Sequence, residues 1–217
     1  MTVPVDRELL TGTAVETAPL LLGGLIRSRV DGIPVLARIT EVEAYEGQHD
    51  PASHAYRGLT KRTAVMFGAA GHLYCYFVYG MHWCANVVCG ESGSAAAVLL
   101  RAAEIIEGES AARSRGSQSV SAARAVTTAK LASGPARLAR ALGLNGTHSG
   151  LDLLNQESPV QLIALAPSQP YESGPRVGVA AAAEVSWRFW IPGNPTVSAY
   201  RAGGRKRLPS TRQTGQL

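Results

Sequence analysis

The chain has 217 residues, 46% of them hydrophobic, with 21 Lys and Arg against 16 Asp and Glu for a formal net charge of +5. At a mean hydropathy of +0.03 and a pI near 9.4 it suits one domain with one sizeable core. The charge favours an anionic partner without naming it, and by itself fits equally well a soluble protein with a basic tail. The three cysteines, Cys75, Cys84 and Cys89, are odd in number and form no Cys-x-x-Cys pair, which argues against a disulfide framework or zinc ribbon and for a reducing interior. Residues 1–8 lack the cationic start and apolar run of a secretory signal, and no apolar run nears the roughly 20 residues of a membrane span. The expected location is the cytosol or the nucleoid.

In chain order, Asp6 reads as a helix N-cap. The apolar positions Leu9, Leu10, Ala18, Leu20, Leu21, Leu22, Leu25 and Ile26 then fit helical scaffold interrupted near Gly12 and Gly23-Gly24. Residues 35–45, rich in β-branched side chains and bounded by Gly32 and Gly47, predict a strand. Its alternation puts Glu41, Glu43 and Tyr45 on one face and Val42 and Ala44 on the other. Residues 46–71 form a long loop, which in a compact domain is functional or mobile. Residues 72–78 and 82–89 pair as a hairpin with Tyr79-Gly80-Met81 at its tip, where a large aromatic needs a cover. Residues 97–102 predict a further strand with Leu99 and Arg101 on the same face. Residues 107–130 turn to Ala, Arg and Ser, giving helical segments with a weak centre at 116–119. Ser133-Gly134-Pro135 starts a short helix over 136–142, stopped by Gly143, whose N-terminal amides can face a phosphate. Residues 187–191 make a last strand, and the polar tail from Arg201 reads as disordered. The expected division is a domain over 1–200 and a basic tail over 201–217.

Several groupings can carry chemistry. Glu41 and Glu43, two positions apart on one strand face, suit general acid and base work, although spacing alone fits solvated surface carboxylates as well. Tyr45 on the same face, with small Ala44 beside it, favours the first reading. His49, Asp50 and His54 raise a metal site, and a metal-dependent hydrolase with it, but Pro51 works against the helical pairing such ligands need. Phe77 and Trp83 read as core aromatics. Tyr76 fits better at a cleft rim, where its ring can stack on a base while the hydroxyl stays wet. Asn86 inside a strand needs a hydrogen-bonding task, such as testing the edge of a purine.

Taken in order, Glu41-Val42-Glu43-Ala44-Tyr45, His54, Met66-Phe67, residues 71–81, Asn86 and Val98-Leu99-Leu100-Arg101-Ala102 resemble the alkyladenine (3-methyladenine) DNA glycosylase family. Ser133-Gly134-Pro135, Pro175-Arg176-Val177-Gly178-Val179, Trp187-Arg188-Phe189 and Pro192-Gly193-Asn194-Pro195 extend the likeness over nearly the whole chain. The fold expected with it is α+β: one domain with a curved, mainly antiparallel sheet flanked by helices and a protruding β-hairpin. The resemblance implies a monofunctional base-excision enzyme that flips alkylated or deaminated purines out of duplex DNA and hydrolyses the N-glycosidic bond. A lesion binder without catalysis is the alternative within the same fold. By the resemblance Glu43 is the general base, Arg101 and the Val177 carbonyl hold the attacking water, and Glu41 supports them. Tyr45, His54 and Tyr76 wall the base pocket, with Met66 and Leu99 near it. Asn86 rejects the 2-amino group of normal guanine, and Tyr79 enters the minor groove. His54 bonds either the base or a phosphate. His82 departs from the aromatic common at its position. No metal or cofactor is implied, the partner is double-stranded DNA with damaged purines, and the expected state is a monomer away from membranes. The only lysines, Lys61, Lys130 and Lys206, lie outside the matched pocket blocks, which disfavours a Schiff-base lyase.

Overall fold

Thr13 opens the first α-helix: its hydroxyl accepts from the Glu16 amide at 3.2 Å while the Glu16 carboxylate accepts from the Thr13 amide at 2.9 Å. This reciprocal cap satisfies two otherwise orphaned donors and starts α1, Ala14–Leu21, just after a single turn of 3-10 helix at Arg7–Leu10 capped by Asp6. The computed structural model describes residues 3–78, 80–116 and 126–204. Helicity does not continue through Leu25 and Ile26 as their apolar character suggests. Gly23 takes φ 75°, and a Cβ at Gly24 would stand 2.7 Å from the Ala164 carbonyl. The chain therefore turns and runs on as β1, Leu25–Ser28, with alternate residues buried.

β2, Val35–Tyr45, spans the predicted strand and is the spine of the sheet. It pairs antiparallel with β1 over its first half, with β8 (Arg188–Trp190) over its second, and with β5 (Ala97–Glu107) along its other edge. β3 (Leu73–Val78) and β4 (His82–Val88) form the expected hairpin, joined to β5 through β4. The sheet thus runs β3-β4-β5-β2-β1-β6, with β6 at Val160–Ala164 and β7 (Glu172–Gly174) pairing with β8. The fold is a single-domain α+β architecture on an open antiparallel sheet. β5 continues five residues beyond the predicted end, and β6 and β7 were not anticipated. β6 follows Pro159 as a Val-Gln-Leu-Ile run whose place is set by pairing with β1.

One face of the sheet carries the core. Val35, Ala37, Ile39, Val42, Ala44 and Leu100 pack there against Leu21, Leu22, Leu138 and Leu142. The helices involved are α1, α2 (Glu109–Gly116) and α3 (Pro135–Ala141). Of the helical stretch expected over 107–130, the described part is α2 and a 3-10 turn at Thr128–Lys130. The weak centre expected at 116–119 lies almost wholly outside the described residues, as do Tyr79 and positions 205–217 of the tail. The opposite face is roofed by the 46–71 loop, which leaves β2 through Gly47 at φ 53°, where a Cβ would fall 1.8 Å from the Ala95 carbonyl oxygen. Ala55, Met66, Tyr74, Val88 and Ala97 pack beneath this loop as a small second apolar cluster, which holds it to the sheet. Among the described residues no helix is long and apolar enough to cross a membrane.

Candidate active site

Two irregularities in the β2–β5 ladder set the site. Pairing runs Ile39 to Ala103, Glu41 to Ala102 and Val42 to Leu100, so Thr40 on β2 and Arg101 on β5 are each one residue in excess. Such bulges re-aim side chains. Thr40 and Glu41 both leave the core layer, and Arg101 swings over the outer face between the two glutamates. Its Nε donates to Glu41 Oε1 at 2.8 Å, and its Nη1 lies 3.2 Å from Glu43 Oε1. Arg101 retains its proton more firmly than an ordinary arginine: burial opposes the charge, but Glu43 and Glu41 outweigh it.

Glu41 is sealed from solvent and takes three donors on Oε1 and one on Oε2. Arg101 Nε, Arg188 Nε and the amide and hydroxyl of Ser198 all donate to it. Glu43 is equally buried but less crowded. Oε1 accepts from the Val177 amide at 2.7 Å and faces Arg101, while among the described residues Oε2 accepts only from the Tyr45 hydroxyl at 2.9 Å. A carboxylate oxygen has two acceptor positions, so Oε2 keeps one open. The sequence expectation concerned the Val177 carbonyl; the contact observed is made by its amide.

Beside this glutamate is a small slot. One rung of the sheet runs Glu43, Leu99, Asn86, Tyr74 across four strands. At about 4.8 Å per strand this sets Tyr74 roughly 14 Å from Glu43. Tyr45, Ser53, His54 and Met66 line a cavity of about 70 Å³ together with Tyr74, Tyr76, Asn86 and Ala97. Five of the six predicted pocket residues therefore come together. Leu99 does not line the cavity: as the cross-strand partner of both Glu43 and Asn86 it lies buried between them. Glu43 reaches the slot through the Tyr45 hydroxyl rather than lining it.

The ring of His54 stands edge-on to Tyr76, centroids 4.4 Å apart at 89°, and Tyr74 tilts against Tyr76 at 5.7 Å. Burial, then the neighbouring Glu43, pushes the Tyr45 phenol well up, and burial followed by Cys84 does the same to Tyr76. Both stay neutral. His54 is pushed down to about 4 by the burial of its inner edge and then by Arg62. The Asn86 amide nitrogen donates to the Tyr74 carbonyl at 2.9 Å, which fixes its orientation.

Arg176 and Asp50 form a support that the sequence reading did not assign. Arg176 donates through both Nη atoms to Asp50 and to the Ala44 carbonyl, and both side chains are sealed from solvent. Its guanidinium stacks between the rings of Tyr45, at 4.7 Å, and Trp187, at 5.1 Å. The pair thus backs the Tyr45 wall and anchors Val177, the next residue, at Glu43. Asp50 has both oxygens committed to Arg176, so the sequence grouping with His49 and His54 does not assemble. Among the described residues no group of three or more His, Cys, Asp or Glu side chains converges as a metal site. The one available signal was Arg176 itself, inside the Pro175–Val179 block.

A buried glutamate beside an aromatic-lined slot on a basic protein is the arrangement a hydrolase of flat heterocycles needs. Residues 8–195 match the family model of methylpurine-DNA glycosylase. The chain belongs to this family of DNA glycosylases, hydrolases acting on N-glycosyl bonds in base-excision repair. It is 48% identical over 209 residues to a protein of Streptomyces avermitilis, covering 94% of this chain and 95% of that one. It is 47% identical to a protein of Leifsonia xyli subsp. xyli (90% and 92% covered) and also 47% identical to one of Mycobacterium tuberculosis (93% and 96%). All three relatives carry the provisional name 3-methyladenine DNA glycosylase.

Proposed function

We propose that this protein flips alkylated or deaminated purines out of double-stranded DNA and hydrolyses their bond to deoxyribose, leaving an abasic site. The observation that carries the reading is the open acceptor position on Glu43 Oε2, next to the Tyr45 ring that lines the slot. A stacked base cannot offer its anomeric carbon to water until it is rotated out, at a cost of a few kcal/mol. Once extruded, the base lies among the rings of Tyr45, His54 and Tyr76, with Met66 against its edge. Glu43 Oε2 takes a proton from water, whose oxygen bonds to C1′ as the C1′–N bond breaks and the purine leaves with the electron pair. Arg101 and the Val177 carbonyl hold that water. Alkylation makes the purine electron-poor, so it stacks well on the rings and departs readily. Asn86 stands where the 2-amino group of an undamaged guanine would clash, since stacking alone would admit every purine.

Tyr79, outside the described residues, fills the gap left in the duplex. None of the cavity-lining side chains is a lysine, so water rather than an amine is the nucleophile. The protein acts as a monomer on DNA in the cytosol, through a domain ending near residue 200. The test is incubation with duplexes each carrying one defined lesion, 3-methyladenine, 7-methylguanine, hypoxanthine or ethenoadenine, with abasic-site formation measured. Wild type should cleave at least one, and Glu43→Gln should abolish cleavage while still binding the lesion duplex. Equal activity in the variant removes Glu43 from the mechanism, and binding without cleavage by wild type makes the protein a lesion binder.

A further inference from the structure

The mouth of the slot carries a cation that the excision reaction above does not use. Arg62 lies on the exposed stretch 56–62 of the roofing loop, together with Arg57 and Lys61. Its guanidinium sits over the ring of Tyr76, 5.7 Å from the centroid, and its Nη2 stands 3.3 Å from His54 Nε2. Guanidinium has no acceptor. Nε2 must therefore accept, which places the ring proton on Nδ1, where it donates to the Tyr74 hydroxyl at 3.3 Å. The contact with Arg62 thus sets the tautomer of a pocket wall and adds to burial in keeping the ring neutral. It also keeps a second positive charge away from a slot that receives electron-poor bases.

We infer that Arg62 binds the phosphodiester of the extruded nucleotide at the mouth of the base pocket. With the base among Tyr45, His54 and Tyr76 and its sugar at Glu43, the backbone has to cross the rim from which Arg62 projects. Tyr76, His54 and Tyr74 brace the guanidinium from the slot side. Its five N–H groups exceed these contacts, which leaves capacity to meet phosphate oxygens in the forked geometry that arginine favours. No acidic side chain is paired with Arg62 among the described residues. The neighbouring cations, Arg57 and Lys61, extend the same electrostatic surface away from the slot. This assignment rests on the excision reading for the position of the flipped nucleotide.

The experiment measures binding of wild type, Arg62→Ala and Arg62→Lys to a duplex holding one tetrahydrofuran abasic analogue, and to the same duplex undamaged, over a salt series. Loss of one phosphate contact should lower the slope of log affinity against log salt by about 0.9 in Arg62→Ala. That loss should appear with the analogue duplex alone, and Arg62→Lys should retain the slope. A wild-type slope in Arg62→Ala overturns the assignment, as does an equal loss on undamaged DNA. The His54 ring, faced by Arg62, Tyr74 and Tyr76, gives a second readout by NMR. Its midpoint near 4 should rise in Arg62→Ala, and an unmoved midpoint removes the contact from the solution structure. Should Arg62→Ala not fold, Arg62→Gln carries the same expectations. Wild-type abasic-site formation on the lesion duplexes is the control: its failure sinks the excision reading, while the slope comparison still decides whether Arg62 meets a phosphate.

Discussion

Among the described residues the Tyr45 hydroxyl is the single donor to Glu43 Oε2, so it orients the proposed general base without saturating it. A hydrogen bond to a charged group contributes about 1.5–3 kcal/mol. Tyr45→Phe should therefore slow single-turnover excision by roughly ten- to a hundredfold, while the ring still stacks and lesion affinity stays near wild type. An unchanged rate would show that Arg101 and the Val177 amide orient the carboxylate alone. Glu43, Tyr45, Tyr76 and Asn86 stood out in the chain by residue type within predicted strands, and His54 joined them through the family resemblance. Arg176 and Ser198 did not. Their tasks exist only as contacts, to Asp50 and to Glu41, across 126 and 157 positions of sequence.

The segment after β2 shows how a misassigned grouping resolves once the chain folds. Asp50 looks like a ligand in sequence and is a counter-ion in space, held by Arg176 behind the Tyr45 wall. Removing one partner of a buried ion pair leaves an uncompensated charge and costs about 3–5 kcal/mol. Asp50→Ala should lower the thermal midpoint by on the order of 10 °C, and a chelator should leave the wild-type midpoint where it is. A chelator-sensitive midpoint would restore the metal reading. The strands at 35–45 and 73–88 were readable because each carries its own alternation or turn. β1 was hidden because the break after α1 depends on Gly24 meeting the Ala164 carbonyl, a contact from 140 positions away. β7 has three residues and exists through its pairing with β8.

In the proposed reaction the duplex must be opened before any of these groups can act, and the hairpin of β3 and β4 is the element proposed to do it. Its tip turns through Gly80 at φ 66°, and Met81 beside it is 68% exposed. Tyr79→Ala should weaken binding to a lesion duplex by at least about tenfold, the scale of one stacked ring. Affinity for a free damaged nucleobase should barely change, and comparable losses for both would remove the wedge. Across the molecule, ordered blocks along the chain already carried the family resemblance, and local alternation carried the hairpin. The hairpin needs only short periodicity, whereas the roles proposed for the glutamate and the rings came from the resemblance. How each of the two carboxylates is held was settled in space. Glu41 and Glu43 are alike in sequence, and two ladder bulges with the returning 175–198 segment set Glu41 under four donors and put Glu43 in contact with Tyr45, which lines the slot. A bulge and a long-range cap are paid for by contacts between distant strands, and no local pattern encodes them.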